Sequence, residues 1–273
     1  SSNTDIRGID AQEFPPMPVP DLSEGVELKV TDFKEMIRQV AFAASTEDSR
    51  PVLQGVMVNL SDDKIVLAAT DGFRISVRKA TLEHPISKAI SAIIPARALS
   101  ELARIASDGE QKVTMVVQQN RSQVLFHLKD AELASQLIEG NFPDYNVIVP
   151  RSAKTTTILS TSNFLNACRQ AEIIARDSNN VVRMQITAGG DKPGTVEISA
   201  QSEETGSSEV VIEANVEGPE LVIAFNVRFL RELLDVVREQ HVALETNANN
   251  TPGMLRPVGD DAFVHVIMPM HLG

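Results

Sequence analysis

Arg97-x-Leu99-x-Glu101-Leu102 recurs as Arg228-x-Leu230-x-Glu232-Leu233, 131 residues further along the chain. Arg38-Gln39 returns as Arg169-Gln170 at the same offset, and Ile65-Val66-Leu67-Ala68-Ala69 as Val196-Glu197-Ile198-Ser199-Ala200. Three collinear matches at one spacing indicate a single folding unit written twice, and such duplication limits what the chain can build. The 273 residues accommodate two units of about 130 each. A partial third echo precedes them. Ile6-Arg7-Gly8 and Phe14-Pro15 match Ile138-Glu139-Gly140 and Phe142-Pro143, the two Phe lying 128 residues apart. Residues 1–20 therefore read as the tail and linker of an earlier copy, followed by a unit at 21–149 and another at 150–273.

The two units share one order of elements. In the first, Val26 to Val30 alternates as a strand, and Thr31-Asp32 offers an N-cap for a helix to about Ala44. Phe33, Ile37, Val40 and Ala44 share one face of that helix. Leu53–Leu60 and Ile65–Ala69 read as strands around the turn Ser61-Asp62-Asp63-Lys64, with further strand at Ile75–Val77 and Ala92–Ile94. A second helix runs from Pro95 to about Ala106. Val113–Val117, Val124–Leu128 and Ala134–Ile138 close the unit as strands, and the second copy has helices near 161–176 and 226–239. The expected fold class is α+β, each repeat packing two helices on antiparallel sheets.

Composition narrows the function classes. Aromatic residues make up 4% with no Trp, so Leu, Ile, Val, Ala and Met must fill the cores. No apolar run reaches the length of a membrane span, and no secretory signal is visible at the start. The single Cys168 cannot form an internal disulfide, so a reducing cytoplasm is expected. The net charge of −12 argues against a protein that coats nucleic acid, unless the charge is unevenly placed. Over 31–44, 95–106, 161–176 and 226–238 there are nine basic and six acidic residues, which leaves −15 for the remainder. Either short helices expose a few Arg, or equivalent helices line one face that meets a polyanion while acidic surface elsewhere repels it.

Several segments together carry a family resemblance. They are Ser49-Arg50-Pro51-Val52-Leu53-x-Gly55, Ala69-Thr70-Asp71-Gly72-Phe73-Arg74-Ile75, Gly140-x-Phe142-Pro143-Asp144-Tyr145, Phe225-Asn226-Val227 and Val266-Ile267-Met268-Pro269-Met270. In this order the chain resembles the bacterial DNA polymerase III beta subunits, the sliding clamps. The resemblance implies the clamp fold, with 21–149 and 150–273 as second and third domains and 1–20 as the remnant of the first. It implies a processivity factor whose full-length form is a homodimeric ring around duplex DNA, bound without sequence specificity. Helices would face the hole and sheets the outside. It further implies no enzymatic activity, no cofactor, no metal, no membrane, and a cytoplasmic, nucleoid-associated location. If the first domain is truly lacking, the ring cannot close in the usual way and a monomer is expected.

The implied partners are the polymerase III catalytic subunit, the clamp loader, repair polymerases and other proteins bearing a clamp-binding motif. They would dock a short peptide into an apolar pocket. Carried over by motif, its residues are Leu53, Thr70, Gly72, Phe73, Arg74, Ile75, Pro143, Val147, Ile148, Asn226, Phe229, Met254, Val266, Met268, Pro269 and Met270. Adaptable Met side chains suit a shared docking site, and exchange of partners requires binding of about −8 kcal/mol. The implied DNA-facing residues are Lys34, Arg38, Arg50, Arg97, Arg104, Arg169, Arg176, Arg228 and Arg231. Arg50 before Pro51 fits a simple turn equally well. Three departures stand out: His271 replaces the usual Arg after Met-Pro-Met, Asn179 sits where an aromatic can occur, and Asn249 to Pro257 aligns ambiguously.

Catalytic readings find little support. His84, His127, His241, His265 and His271 are scattered without metal-ligand spacing. Cys168 falls within a helical apolar pattern, Gly189-Gly190-Asp191 reads as a turn without a following Gly-Lys-Ser/Thr, and Asp71 reads as turn-supporting. The competing non-enzymatic reading is a DNA-independent repeat scaffold or adaptor for linear peptides, against which the basic bias of the helices is the discriminating feature.

Overall fold

A computed structural model describes residues 2–14, 19, 21–107, 109, 112–118 and 122–271. Most of the proline-rich stretch, residues 15–18 and 20, lies outside them. Val26–Lys29 (β1) runs directly into Val30–Val40 (α1). Then come Gly55–Ser61 (β2), Lys64–Thr70 (β3), Arg74–Thr81 (β4), Ile90–Pro95 (β5) and Ala96–Ile105 (α2). Lys112–Val117 (β6), Gln123–His127 (β7) and Glu132–Gln136 (β8) complete the first unit, and the one-turn helix Tyr145–Ile148 (α3) lies in the connection. The second unit comprises Thr155–Ser160 (β9), Thr161–Ala175 (α4), Val181–Thr187 (β10), Gly194–Ser202 (β11) and Gly206–Glu217 (β12). It ends with Leu221–Asn226 (β13), Val227–Leu234 (α5), His241–Thr246 (β14), Gly253–Pro257 (β15) and Phe263–Ile267 (β16). The architecture is α+β, with antiparallel pairing throughout.

Each unit has its own core. In the first, Phe33, Ile37 and Val40 of α1 and Leu99 and Leu102 of α2 close over β2, β3, β6 and β7. In the second, Phe164 and Ala171 of α4 and Leu230 and Leu233 of α5 close over β10, β11 and β13. The repeated Leu-x-x-Leu helices therefore bury equivalent pairs, as their spacing requires. What joins the units is a ladder: β16 pairs with β4, from Phe263↔Arg78 to Ile267↔Arg74, making one twelve-stranded sheet. A smaller cluster sits on one side of this seam. Met57, Ala68, Ile75, Val77, Met254 and Val266 form it, with Phe142, Tyr145, Ile148 and Val149 of the connection packed on top. The ambiguous stretch before Pro257 resolves as β15, which sets Met254 opposite Val266.

Some helix limits differ from expectation. The first helix starts at Val30, not after Thr31, because β1 keeps Lys29 extended opposite Lys112 and Val30 is buried. The last stops at Leu234, well short of 239. There the Arg38 guanidinium takes the carbonyls of Asp235 and Val236, at 3.4 and 2.7 Å, in place of another helical turn. Asn179 and Asn180, both with positive φ, turn the chain after α4 into β10, so Asn179 serves as a cap. The leader residues 2–14 are exposed throughout, Ile6 and Phe14 included.

Candidate functional site

The turn from β3 to β4 builds one wall of a groove. Asp71 Oδ1 accepts the N–H groups of Phe73 (2.9 Å) and Arg74 (3.1 Å). Thr70 Oγ1 accepts from the Gly72 N–H and donates to the Arg74 carbonyl. Gly72 has φ +94°, a backbone conformation that a residue with a Cβ adopts only under strain, and the Arg50 guanidinium lies 2.8 Å from where that Cβ would stand. The turn so held pushes the Phe73 ring outward, 58% exposed. The C-terminal segment is hydrogen-bonded onto it, Met268 N–H to Phe73 carbonyl at 2.8 Å. Between them opens a groove of about 260 Å³ lined by Leu53, Thr70, Gly72, Phe73, Arg74, Ile75, Pro143, Ile148, Val266 and Met268. It lies against the apolar cluster at the seam. An apolar slot bounded by a few polar groups takes an apolar anchor and orients it.

Ten of the sixteen predicted groove residues converge there. Val147 is beside them on α3 but points to solvent, and Met254 belongs to the cluster beneath. Asn226 instead caps α5, its Oδ1 accepting from Arg228 N–H. Phe229 lies under the Arg74 guanidinium, 4.3 Å from ring centroid to Cζ. Pro269 and Met270 run past the groove, and Met270 N–H donates to the Ala224 carbonyl. A larger open cleft of about 810 Å³ lies elsewhere, between β1 and residues 84–91, and its lining contains none of the predicted residues.

Arg74 is nearly buried and ties the two units together. Its Nε reaches Asp71 at 3.1 Å, Nη1 reaches Glu232 of α5 at 2.6 Å, and Nη2 donates to the Phe42 carbonyl at 3.0 Å. Its plane lies between Phe42 and Phe229. Glu232 is also held by Arg228 at 2.8 Å, and the two arginines keep its carboxyl below the usual range although burial pushes the other way. Next to Arg74, His265 of β16 is fully buried, stacked on Phe42, with Nδ1 2.5 Å from Ser76 Oγ and no hydrogen-bond partner for Nε2 among the described residues. Burial, reinforced by the Arg74 charge, holds its pKa well below 6.5.

A pH dependence follows. Above about pH 6.5 His265 is neutral whether folded or unfolded, so it adds no slope. Below that, the unfolded chain takes up a proton that the folded chain refuses, and stability falls by about 1.4 kcal/mol per pH unit. Urea titrations at pH 7.0, 6.0 and 5.5 should show this loss. A His265→Gln variant, less stable overall, should lose that slope; a retained slope would place it on another group.

The predicted helix-face cations are mostly committed within the chain. Arg38 pairs with Glu35, Arg104 with Glu101, Arg169 with Asp235, Arg228 with Glu232, and Arg231 with Glu172 and Asp235. Lys34 Nζ donates to the Ala106 carbonyl, and Arg50 pairs with Glu47. Arg97 and Arg176 are exposed and form no ion pair among the described residues. With the shorter limits, the four long helices contain seven basic and five acidic residues, and Arg176 and Arg238 fall outside them. The basic bias is therefore smaller than expected from sequence. Arg38, Asp235 and Arg238 do bring α1 and the end of α5 together across the seam, Arg238 reaching Glu35 at 2.7 Å. No group of three or more His, Cys, Asp or Glu is placed to hold a metal among the described residues, and burial pushes the Cys168 thiol up, away from reactivity.

Residues 27–144 match the model for the DNA polymerase III beta subunit central domain, and residues 146–271 the model for its C-terminal domain. The chain belongs to the DNA polymerase III beta subunit family. It is 32% identical to the beta sliding clamp of Bacillus subtilis, covering 97% of this chain and 69% of that one. With the Staphylococcus aureus beta sliding clamp it shares 33% identity over 98% of this chain and 70% of the other. The crystal structure of the B. subtilis DNA polymerase sliding clamp superimposes with a TM-score of 0.90, covering 97% and 69% of the two chains. The Streptococcus pneumoniae beta chain gives 0.89 at 29% identity, covering 97% and 70%.

Reading by motif missed the groove's supports. Glu232 stood in the repeated helix, yet its partner Arg74 is 158 residues away. The ring of Phe42 and the buried His265 carried no local signal. Phe142 and Tyr145 sit in the quoted Gly-x-Phe-Pro-Asp-Tyr segment and could have been assigned beneath the groove from their apolar character.

Proposed function

We propose that this chain acts as a DNA polymerase processivity factor, a sliding clamp without enzymatic activity of its own. Its groove receives short linear peptides from a replicative polymerase, a clamp loader and repair polymerases, and its helices face duplex DNA. The observation that carries this reading is the seam: one ladder joins two repeats into a continuous sheet and leaves an apolar groove beside it. A ring held around DNA by topology needs only weak, mobile contacts, consistent with so few unpaired cations on the helices. Assembly into a homodimeric ring in the full-length protein and a cytoplasmic, nucleoid-associated location belong to the same proposal.

The test is calorimetric titration of the chain with a polymerase-type docking peptide. Met268→Ala and Phe73→Ala should each weaken binding at least about fivefold, a loss of about 1 kcal/mol. Met270→Ala, outside the groove lining and held by its backbone N–H to the Ala224 carbonyl, should change it less. Unchanged affinity in both of the first two variants would sink the groove assignment.

A further inference from the structure

The groove and the helix face share one carboxylate. Glu232 Oε2 accepts from Arg74 Nη1 at 2.6 Å, and Oε1 accepts from Arg228 Nε at 2.8 Å. The two arginines differ in freedom. Arg74 is 6% exposed and fixed between two rings, whereas Arg228 is 61% exposed at the surface end of α5. Glu232 itself, 19% exposed, is anchored on a helix whose opposite side is core. Arg74 in turn connects to the groove, since Asp71 holds both the Arg74 guanidinium and the Phe73 N–H. Glu172 also acts on Arg228 and pairs with Arg231, which in turn pairs with Asp235.

We propose that Glu232 is a positioning residue shared by groove and helix face: its Oε2 holds Arg74 and seats the Phe73 turn, while Arg228 on Oε1 draws part of the same carboxylate's charge. A polyanion that draws Arg228 away leaves Glu232 to Arg74 and removes a positive charge that repels it. The turn is then held more firmly and the groove binds its peptide more tightly. By linkage, peptide in the groove strengthens polyanion binding by the same factor. The inference rests on the docking reading above and adds its control.

The experiment is a double-mutant cycle on peptide affinity, by calorimetry, with the whole chain. Arg228→Gln mimics the polyanion-bound state and should tighten peptide binding about fivefold, an effect that loss of a merely structural contact would not produce. Glu232→Gln should weaken it by a similar factor, and the double variant should match Glu232→Gln alone. Unchanged or weaker binding by Arg228→Gln, or additive effects, would overturn the proposal. Arg228 lies on the surface, so its variant decides the matter even if Glu232→Gln folds poorly. Absence of peptide binding by the unsubstituted chain would instead remove the docking reading, and this control with it.

Discussion

Replacing Arg74 with Ala is expected to destabilise the chain by about 3 kcal/mol. Removing one partner of a buried ion pair typically costs about 3–5 kcal/mol, because the other charge stays desolvated without compensation. Here Asp71 and Glu232 lose their shared partner, but they keep 16% and 19% exposure and Glu232 retains Arg228 at 2.8 Å, so water and the second arginine relieve part of the penalty and the lower end applies. The Phe42 carbonyl loses a donor as well, and two rings lose the cation between them. The loss falls on the seam between two separate cores, so the denaturant transition should broaden as the units unfold less cooperatively. Arg74→Lys recovers little, since an ammonium cannot serve Asp71, Glu232 and the Phe42 carbonyl with one planar fork. Arg104→Ala is the control: its pair with Glu101 is 72% and 43% exposed, and solvent screens such surface pairs so that their loss changes stability little. Guanidinium titrations monitored by circular dichroism would measure both. Equal, small losses would show that Arg74 does not tie the units together.

Arg74 also shows where sequence reasoning was sufficient and where it stopped. Its placement in the groove wall came with the family resemblance, carried on a short contiguous motif, and the turn such a motif encodes is local. Asp71 and Thr70 organise the turn through partners two to four residues away. The strands and the repeated Leu pairs were legible for the same reason, since alternation and helical spacing are local patterns. The charges were not. Whether Arg228 or Arg231 is free depends on carboxylates that the fold brings in, such as Glu172 on α4. A tally by helix cannot see that. The early end of α5 was equally hidden, because a guanidinium from α1 takes the carbonyls there. Phe229 and Asn226 were near the groove in sequence but have roles one layer deeper, as a platform for Arg74 and as a helix cap.

Phe225→Ala is expected to cost about 3–5 kcal/mol, and its interaction with Gly253 makes that cost diagnostic. Phe225 is fully buried on β13, opposite Val182, in a core with few other large rings. A Cβ placed on Gly253 of β15 would lie 2.5 Å from the Phe225 Cζ and 3.1 Å from Cε1. The ring thus stands directly on a strand that leaves room for it only by lacking a side chain. Gly253→Ala alone should therefore overpack the site and destabilise by about 1–3 kcal/mol. In the Phe225→Ala background the added methyl enters the vacated space, so the double variant should be no less stable than Phe225→Ala by itself. Additive losses in urea titrations would mean that the ring and the strand do not share that space. The site also bears on the groove. Phe225 follows Ala224, whose carbonyl accepts from Met270 N–H, and precedes the Asn226 cap of α5. Loosening β13 removes an anchor of the segment carrying Met268. Peptide affinity should therefore fall in Phe225→Ala under conditions where the chain is still folded, and recover in part with Gly253→Ala.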